Sequence, residues 1–401
     1  MAEYKLKPSW HWVSFGDVVK LNADRCANPA AVGIERYVGL EHIEPEDLRI
    51  RRWGLVEDGT TFTNRFRPGQ VLFGKRRAYQ RKVAVADFEG VCSSDIYVFE
   101  PKDDRLLPEL LPFLCQTEAF YAHAVGTSAG SLSPRTNWTQ LANYEFALPP
   151  LEEQRRIADY LSSLSQLKDS YETAHASSTQ LIASLMTSLL DSPTDMTRVR
   201  SIAISELGMN NQAVLKTGPF GSKLKTDYFK SVGVPVIPIA ALQEDGLNHN
   251  EFFYLDPAHV SDFAEYETVA GDIVFSRVAD VGRCHLINDA DTGFIISSNL
   301  IRIRIDQKLA TPTYIWLLLK YSVDIRRQIA ALTTQAAGRL LINTNTLERL
   351  VFMIPEQSYQ SYVIARYSAL RGSKDWIGTR LKSATGMLST SRELLLTAER
   401  A

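Results

Sequence analysis

Hydrophobic positions along the chain follow two spacings. Short β-branched or alternating runs, cut by Gly, Pro and Asp, occur at Val71–Phe73, Lys82–Ala86 and Ile96–Phe99. They return at Val234–Ile237, Ile273–Phe275 and Leu300–Ile305. Such runs predict strands. Around Pro108–Val125 and Pro312–Leu332 the apolar spacing lengthens to threes and fours, which predicts a helix closing each strand-rich region.

A different pattern fills the rest. From Leu151 to Leu190 there is neither Gly nor Pro. With Ile157 at a heptad a position, a holds Ile157, Leu164, Tyr171, Ser178 and Leu185, and d holds Tyr160, Leu167, Ala174, Leu181 and Ser188. This reads as a coiled-coil seam with small or polar steps. At about 1.5 Å per residue the helix is a rod of roughly 60 Å, which needs a partner of similar length. From Tyr359 on, Val363, Tyr367, Leu370, Ile377, Leu381, Ala384, Leu388 and Leu395 offer one, with Lys374 interrupting the seam. Gly372, Gly378 and Gly386 each cost about 0.8–1.0 kcal/mol of helicity relative to Ala, but would permit close approach of two helices. An antiparallel pair within the chain is the expected arrangement, with an intermolecular coiled coil as the alternative. Asp191-Ser192-Pro193-Thr194-Asp195 breaks the first rod and marks a boundary.

The chain contains one unit twice. Gly69-Gln70-Val71-Leu72-Phe73-Gly74-Lys75 recurs as Gly271-Asp272-Ile273-Val274-Phe275-Ser276-Arg277. Gly90–Asp95 echoes Gly293–Asn299, and Asn137, Leu141, Phe146, Leu148 and Pro149 match Asn343, Leu347, Phe352, Ile354 and Pro355. The order is kept and the offset stays between 202 and 206, so this is a half-length duplication and not a short-period solenoid. The fold class expected is α+β: two mostly-β repeats separated by two long antiparallel coiled-coil helices. The segments are 1–150, 151–191, 192–355 and 356–401.

Composition narrows the function. Hydrophobic residues are 45% of the 401, and 44 Lys and Arg stand against 46 Asp and Glu. A histone-like polycation is excluded, although charge distribution matters more than the sum. No apolar run of about 18 residues exists to span a membrane. Met1–Lys5 lacks a signal core, and the four cysteines (Cys26, Cys92, Cys115, Cys284) form no C-x-x-C pair. Free thiols in a reducing cytoplasm are expected, with no metal. The sequence carries no G-x-S-x-G, H-E-x-x-H or Walker A motif, and its histidines have no ligand spacing. Gly218-Pro219-Phe220-Gly221-Ser222 is Gly-rich, but its Pro removes an N–H that a phosphate cradle would use. A non-catalytic chain follows as the expectation.

Binding is better supported. Between Thr61 and Lys82 the charged residues are all cations, and Lys75, Arg76, Arg77, Arg81 and Lys82 surround Tyr79. Lys and Arg neutralise phosphates, and Arg also reads base edges, so the stretch suits double-stranded DNA; a solvated surface loop is the alternative. A loop of small residues follows, with Ser131, Arg135 and Asn137. In the second unit the corresponding candidates are Lys223, Lys225, Arg277, Arg283, Arg339 and Asn343. Two similar but non-identical binding units suit an asymmetric target in two halves. A coiled-coil adaptor that does not read DNA is the competing class.

Several segments resemble a known family. Leu148-Pro149-Pro150-Leu151-Glu152-Glu153-Gln154-Arg155-Arg156-Ile157-Ala158 is similar to the opening of the conserved helix in specificity subunits of type I restriction–modification systems. Trp12–Val18 resembles the start of a target recognition domain, and Gly218–Leu224 the family's GPFGS-x-L segment. Gly69–Lys75 and Gly271–Arg277 resemble its G-D-hydrophobic-hydrophobic-F segment, with Gln70 in place of the acid. The resemblance implies two target recognition domains, each reading half of a bipartite site, and helices that dock two modification subunits, with restriction subunits attached indirectly. Leu151, Glu152, Gln154, Arg155 and Ile157 would dock, and S-adenosylmethionine and ATP would be bound by partners and not by this chain. Pro355-Glu356-Gln357-Ser358-Tyr359-Gln360 departs from the charged L-x-E-Q-x-x-I form at the second helix.

Overall fold

The computed structural model describes residues 4–5, 7, 9–191, 198–209, 213–220, 223–336, 338–397 and 399–400. It divides into two compact units: residues 1–173 with 378–401, and residues 174–377. Each unit therefore takes part of both long helices.

The units share one topology. In the first, strands Val19–Leu21, Ile96–Pro101, Val71–Gly74 and Val83–Val85 lie side by side in that order, all antiparallel. In the second the same order is Leu215–Thr217, Leu300–Ile303, Ile273–Ser276 and Cys284–Leu286. Each unit has a second four-stranded sheet containing one parallel pair, Arg36–Val38 with Gly90–Cys92 or Val234–Ile237 with Ile295–Ile296. Each also pairs an entry strand with an exit strand, His11–Ser14 with Glu145–Leu148 and Val199–Ala203 with Val351–Pro355. All six runs expected as strands contain strands, although Lys82–Ala86 is strand only over Val83–Val85 and the last stops at Ile303.

The duplication extends to single polar contacts. Gly69 and Gly271 both turn with positive φ, at 87° and 91°. The Gln70 side chain accepts from the Arg67 N–H at 2.7 Å, as Asp272 accepts from the Val269 N–H at 2.8 Å. Gln70 then donates to Glu100 at 2.7 Å, whereas Asp272 binds Arg304 at 2.6 Å. Glu100 and Arg304 are equivalent, because Phe99 and Ile303 hold the same place in the ladder. The acid missing at Gln70 has thus moved across the ladder to Glu100.

The expected closing helices are each two. In unit one they are Leu111–Leu114 and Glu118–Gly126; in unit two, Pro312–Tyr321 and Val323–Leu332. The break has one cause. Thr117 and Ser322 adopt extended backbone, and their hydroxyls accept the N–H of Phe120 and Ile325, capping a new helix.

The central helix runs Leu151–Asp191 and the C-terminal helix Gln357–Leu396. Within unit one, Ile157, Leu161 and Leu164 share a core with Leu388 and Leu396. Within unit two, Ile182, Met186 and Leu190 share a core with Val363 and Tyr367. The start of one helix meets the end of the other, so the pair is antiparallel and forms within the chain. The heptad assignment needs correction, since Tyr160, Leu167 and Leu181 at d are exposed. The helix also packs on its own unit, so its buried stripe runs Gln154, Ile157–Ala158, Leu161 and Leu164. Lys374 is buried, with its ammonium 2.9 Å from Asp245. The helix ends at Asp191, whose carboxylate caps the helix starting at Val323; residues 192–195 lie outside the described residues.

Buried glutamines fix both long helices. Gln154 is fully buried, donates to the carbonyls of Arg105 and Pro149 and accepts from the Leu107 N–H at 2.9 Å. Gln360 repeats this with the carbonyl of Pro355 and the N–H of Thr311 at 2.9 Å. The motif Gln of the second helix is therefore Gln360, and the departure at 355–360 leaves this anchor intact.

Gly372 and Gly386 do not mediate close approach, because a Cβ added at either would meet open space. Gly372→Ala and Gly386→Ala should each stabilise the protein by about 0.4–1 kcal/mol, read as a higher urea midpoint at unchanged slope.

Candidate nucleic-acid interface

The basic stretch of unit one leaves the strand ending at Gly74 and turns sharply. Arg77 and Arg81 both take left-handed backbone, at φ 54° and 56°, around a short turn at Ala78–Gln80. A two-stranded ribbon, Ser128–Ala129 with Arg135–Thr136, comes alongside. The Arg77 N–H donates to the Pro134 carbonyl at 2.8 Å, and the Thr136 N–H donates to that of Lys75 at 2.9 Å. Arg76 and Arg77 both donate to the Ser133 hydroxyl, at 3.1 and 3.3 Å.

Asp95 is the hub of this cluster. Its carboxylate accepts from Arg135 at 2.8 Å and Arg76 at 3.3 Å, and its carbonyl from the Lys75 N–H at 3.0 Å. Burial raises the carboxyl, but the hydrogen bonds and charge of Arg135 and Arg76 outweigh it and hold it below its ordinary value. Lys75 lies over the Tyr97 ring at 4.6 Å, and burial depresses its ammonium against the pull of Asp95. Tyr79 and Ser131 are exposed.

Two of the expected cations are tied to partners within the chain. Arg81 makes a two-pronged pair with Glu118, also binds Glu46 and covers the Tyr121 ring; the Glu118 bond raises its pKa. Lys82 donates to the Leu40 carbonyl at 2.7 Å. Asn137 caps the helix Trp138–Leu141. The structure therefore brings together Lys75, Arg76, Arg77, Arg135 and the 130–134 loop, and ties Arg81 and Lys82 to other groups.

Unit two repeats the frame with different side chains. Ala279 has the left-handed backbone of Arg77, at φ 65°, and its N–H donates to Leu340 as that of Arg77 does to Pro134. Arg277 replaces Lys75 and binds the carbonyls of Ile342 and Ser298, both at 3.3 Å. Arg283 pairs with Asp280 at 2.8 Å, Asn343 caps the helix at Thr344, and Arg339 is exposed on the second ribbon. A cavity of about 730 Å³ opens beside this turn, between Ala279, Arg283, Lys320 and Leu340. Lys223 and Lys225 lie elsewhere, near the rings of Tyr266 and Tyr228. Gly218 is required by packing, as a Cβ there would lie 2.1 Å from the Ser297 carbonyl oxygen. Gly221 and Ser222 lie outside the described residues.

At the start of the central helix Leu151, Glu152 and Arg155 are exposed, while Gln154 and Ile157 are buried in unit one. A groove of about 870 Å³ runs past Glu152, Arg156, Tyr160, Ser391 and Leu394. Among the described residues no helix is long and apolar enough to cross a membrane, and no group of His, Cys, Asp and Glu could hold a metal ion.

Residues 9–176 match the family described as "Type I restriction modification DNA specificity domain". That stretch lies in the first strand-rich segment and the first part of the central helix. The type I restriction enzyme EcoDI specificity subunit of Escherichia coli is 28% identical over 166 residues, which is 41% of this chain and 36% of that protein's length. Two solved structures share the fold over almost the whole chain. One comes from work on complex assembly and conformational transition of the type I R-M system, with a TM-score of 0.61, 17% identity and 98% of both chains covered. The other is the type I S subunit from M. genitalium, with a TM-score of 0.56, 14% identity and 99% of both chains covered. The α+β fold class expected from the sequence is the one observed.

Sequence reasoning missed Asp95 as the hub, although the Ser-Ser-Asp/Ser-Ser-Asn repeat marked its position. Since the folded-state pKa of Asp95 lies below its ordinary value, its ion pairs stabilise the protein above that value and fade as pH falls through the folded pKa. Asp95→Asn should therefore lower the urea midpoint at neutral pH, with a gap to wild type constant above about pH 5 and closing in acid.

Proposed function

We propose that this chain is the DNA sequence-specificity subunit of a type I restriction–modification complex. Segments 1–150 and 192–355 act as target recognition domains, each reading one half of a bipartite, asymmetric site. Segments 151–191 and 356–401 are the helices that dock two modification subunits. Restriction subunits attach through these, and the chemistry of methylation and cleavage belongs to the partners. The setting is cytoplasmic. One observation carries this reading: within a specificity-family fold, a left-handed turn bonded to an adjoining ribbon occurs twice but with different side chains, Arg77 against Ala279 and Arg76 against Val278. A duplicated frame with divergent contacts suits a target whose halves differ. At the helix start, docking falls to the exposed Leu151, Glu152 and Arg155, while Gln154 and Ile157 anchor the helix from beneath.

The deciding experiment maps methylated sites in cells carrying the modification subunit with and without this chain. Sequence preference should vanish without it; identical sites in its absence would refute the reading.

The interface makes its own forecast. Arg77→Ala in the assembled complex should lower the slope of log affinity against log salt by about 0.9, one phosphate contact. Arg81→Ala should leave that slope unchanged and lower the unfolding midpoint, because its partners are Glu118 and Glu46. An unchanged slope for Arg77→Ala would make that side chain a solvated surface group.

A further inference from the structure

Leu132 is the most exposed large hydrophobic side chain described, at 91%. A lone exposed leucine is ordinary on a protein surface. Two features set this one apart.

The first is that its loop is held from below. Ser133 accepts from Arg76 and Arg77, Pro134 accepts from the Arg77 N–H, and Arg135 is fixed by Asp95. Gly130 enters the loop at φ 110°. The tip stands on a braced base, and its immediate neighbours, Ser131 and Ser133, offer no apolar surface to cover it.

The second is the company it keeps. Lys75, Arg76, Arg77 and Arg135 surround the ribbon, so a polyanion drawn to these cations meets Leu132. A two-stranded ribbon fits the DNA major groove, and there the thymine 5-methyl is the one apolar group on a base edge. The second unit differs at this point. Its ribbon pairs as far as Ala336 with Arg339, and the position equivalent to Leu132 is Gly338, at φ 75°.

On the reading that this chain binds DNA, we propose that Leu132 is a specificity-determining residue that packs on the 5-methyl of one thymine in the half-site read by the first unit. The second unit, with Gly338 in that place, has no side chain there to make this contact, which is one source of the difference between the two halves.

The test uses the assembled complex of this chain with its modification subunits, and duplexes carrying its mapped site. Each thymine is replaced singly by deoxyuridine, which keeps the base pair and removes the methyl. Affinity should fall about fourfold at one position in one half-site, the value of burying one methyl-sized group. Leu132→Ala should bind the thymine duplex about as weakly as wild type binds the uracil duplex, and be indifferent to the exchange. Sequence preference with no sensitive position, sensitivity that persists in Leu132→Ala, or a half-site lacking an A·T pair overturns the proposal and leaves the specificity function standing. Unstacking of a base step reported by 2-aminopurine, without sensitivity to the methyl, overturns it in favour of an inserted wedge. Absence of any sequence preference removes the DNA reading itself.

Discussion

The buried side-chain amide of Gln154, repeated at Gln360, is the contact on which the arrangement of each unit depends. A helix of about 40 residues has no fixed direction of exit from a sheet unless something sets its first turn. Here the amide closes two backbone segments onto that turn: the exit strand at Pro149 or Pro355, and the segment at Leu107 or Thr311. Both glutamines are buried, where losing one partner of a hydrogen bond costs about 1–3 kcal/mol. The Gln is thus buried for a structural reason, and the neighbouring exposed residues are left free for a partner.

The repetition was legible in sequence because it rests on a strict order of Gly, apolar pair and Phe, which fixes a turn and a strand. Its limits were legible only in three dimensions. Gln70 looked like the loss of an acid. The ladder places Glu100 opposite, so a carboxylate still accepts there, from the other side. In unit two the same place holds the ion pair of Asp272 and Arg304, where unit one has a neutral amide and a carboxylate. A single-sequence reading sees one substitution, whereas the packing constraint acts on the pair. The two split helices have a similar explanation. Apolar spacing runs unbroken through Thr117 and Ser322, but a hydroxyl at that point can take a backbone N–H and start a new helix.

Charge was harder to read than pattern. The acid-free stretch from Thr61 to Lys82 suggested a uniformly free basic surface. Glu46, Asp95 and Glu118 arrive from distant segments and take up Arg81 entirely and Arg76 in part. Linear sequence counts charges near in the chain, while Coulomb attraction acts on charges near in space. What remains for a polyanion is a smaller set around the ribbon, in which the Arg77 guanidinium donates to a neutral hydroxyl.

The left-handed turn shows how such a frame could tolerate different contacts. A residue other than Gly in that conformation costs about 1–2 kcal/mol, so it persists only where the surroundings impose it. Arg77 and Ala279 both adopt it, and both are held by the same backbone bonds to the adjoining ribbon. The conformation therefore does not depend on the side chain it carries. Arginine and alanine differ in size, charge and hydrogen-bonding capacity, yet the left-handed conformation and its backbone bonds to the ribbon are kept. A position with these properties can change its contact to a ligand without refolding the turn, and this separates what the surface reads from what holds it in place.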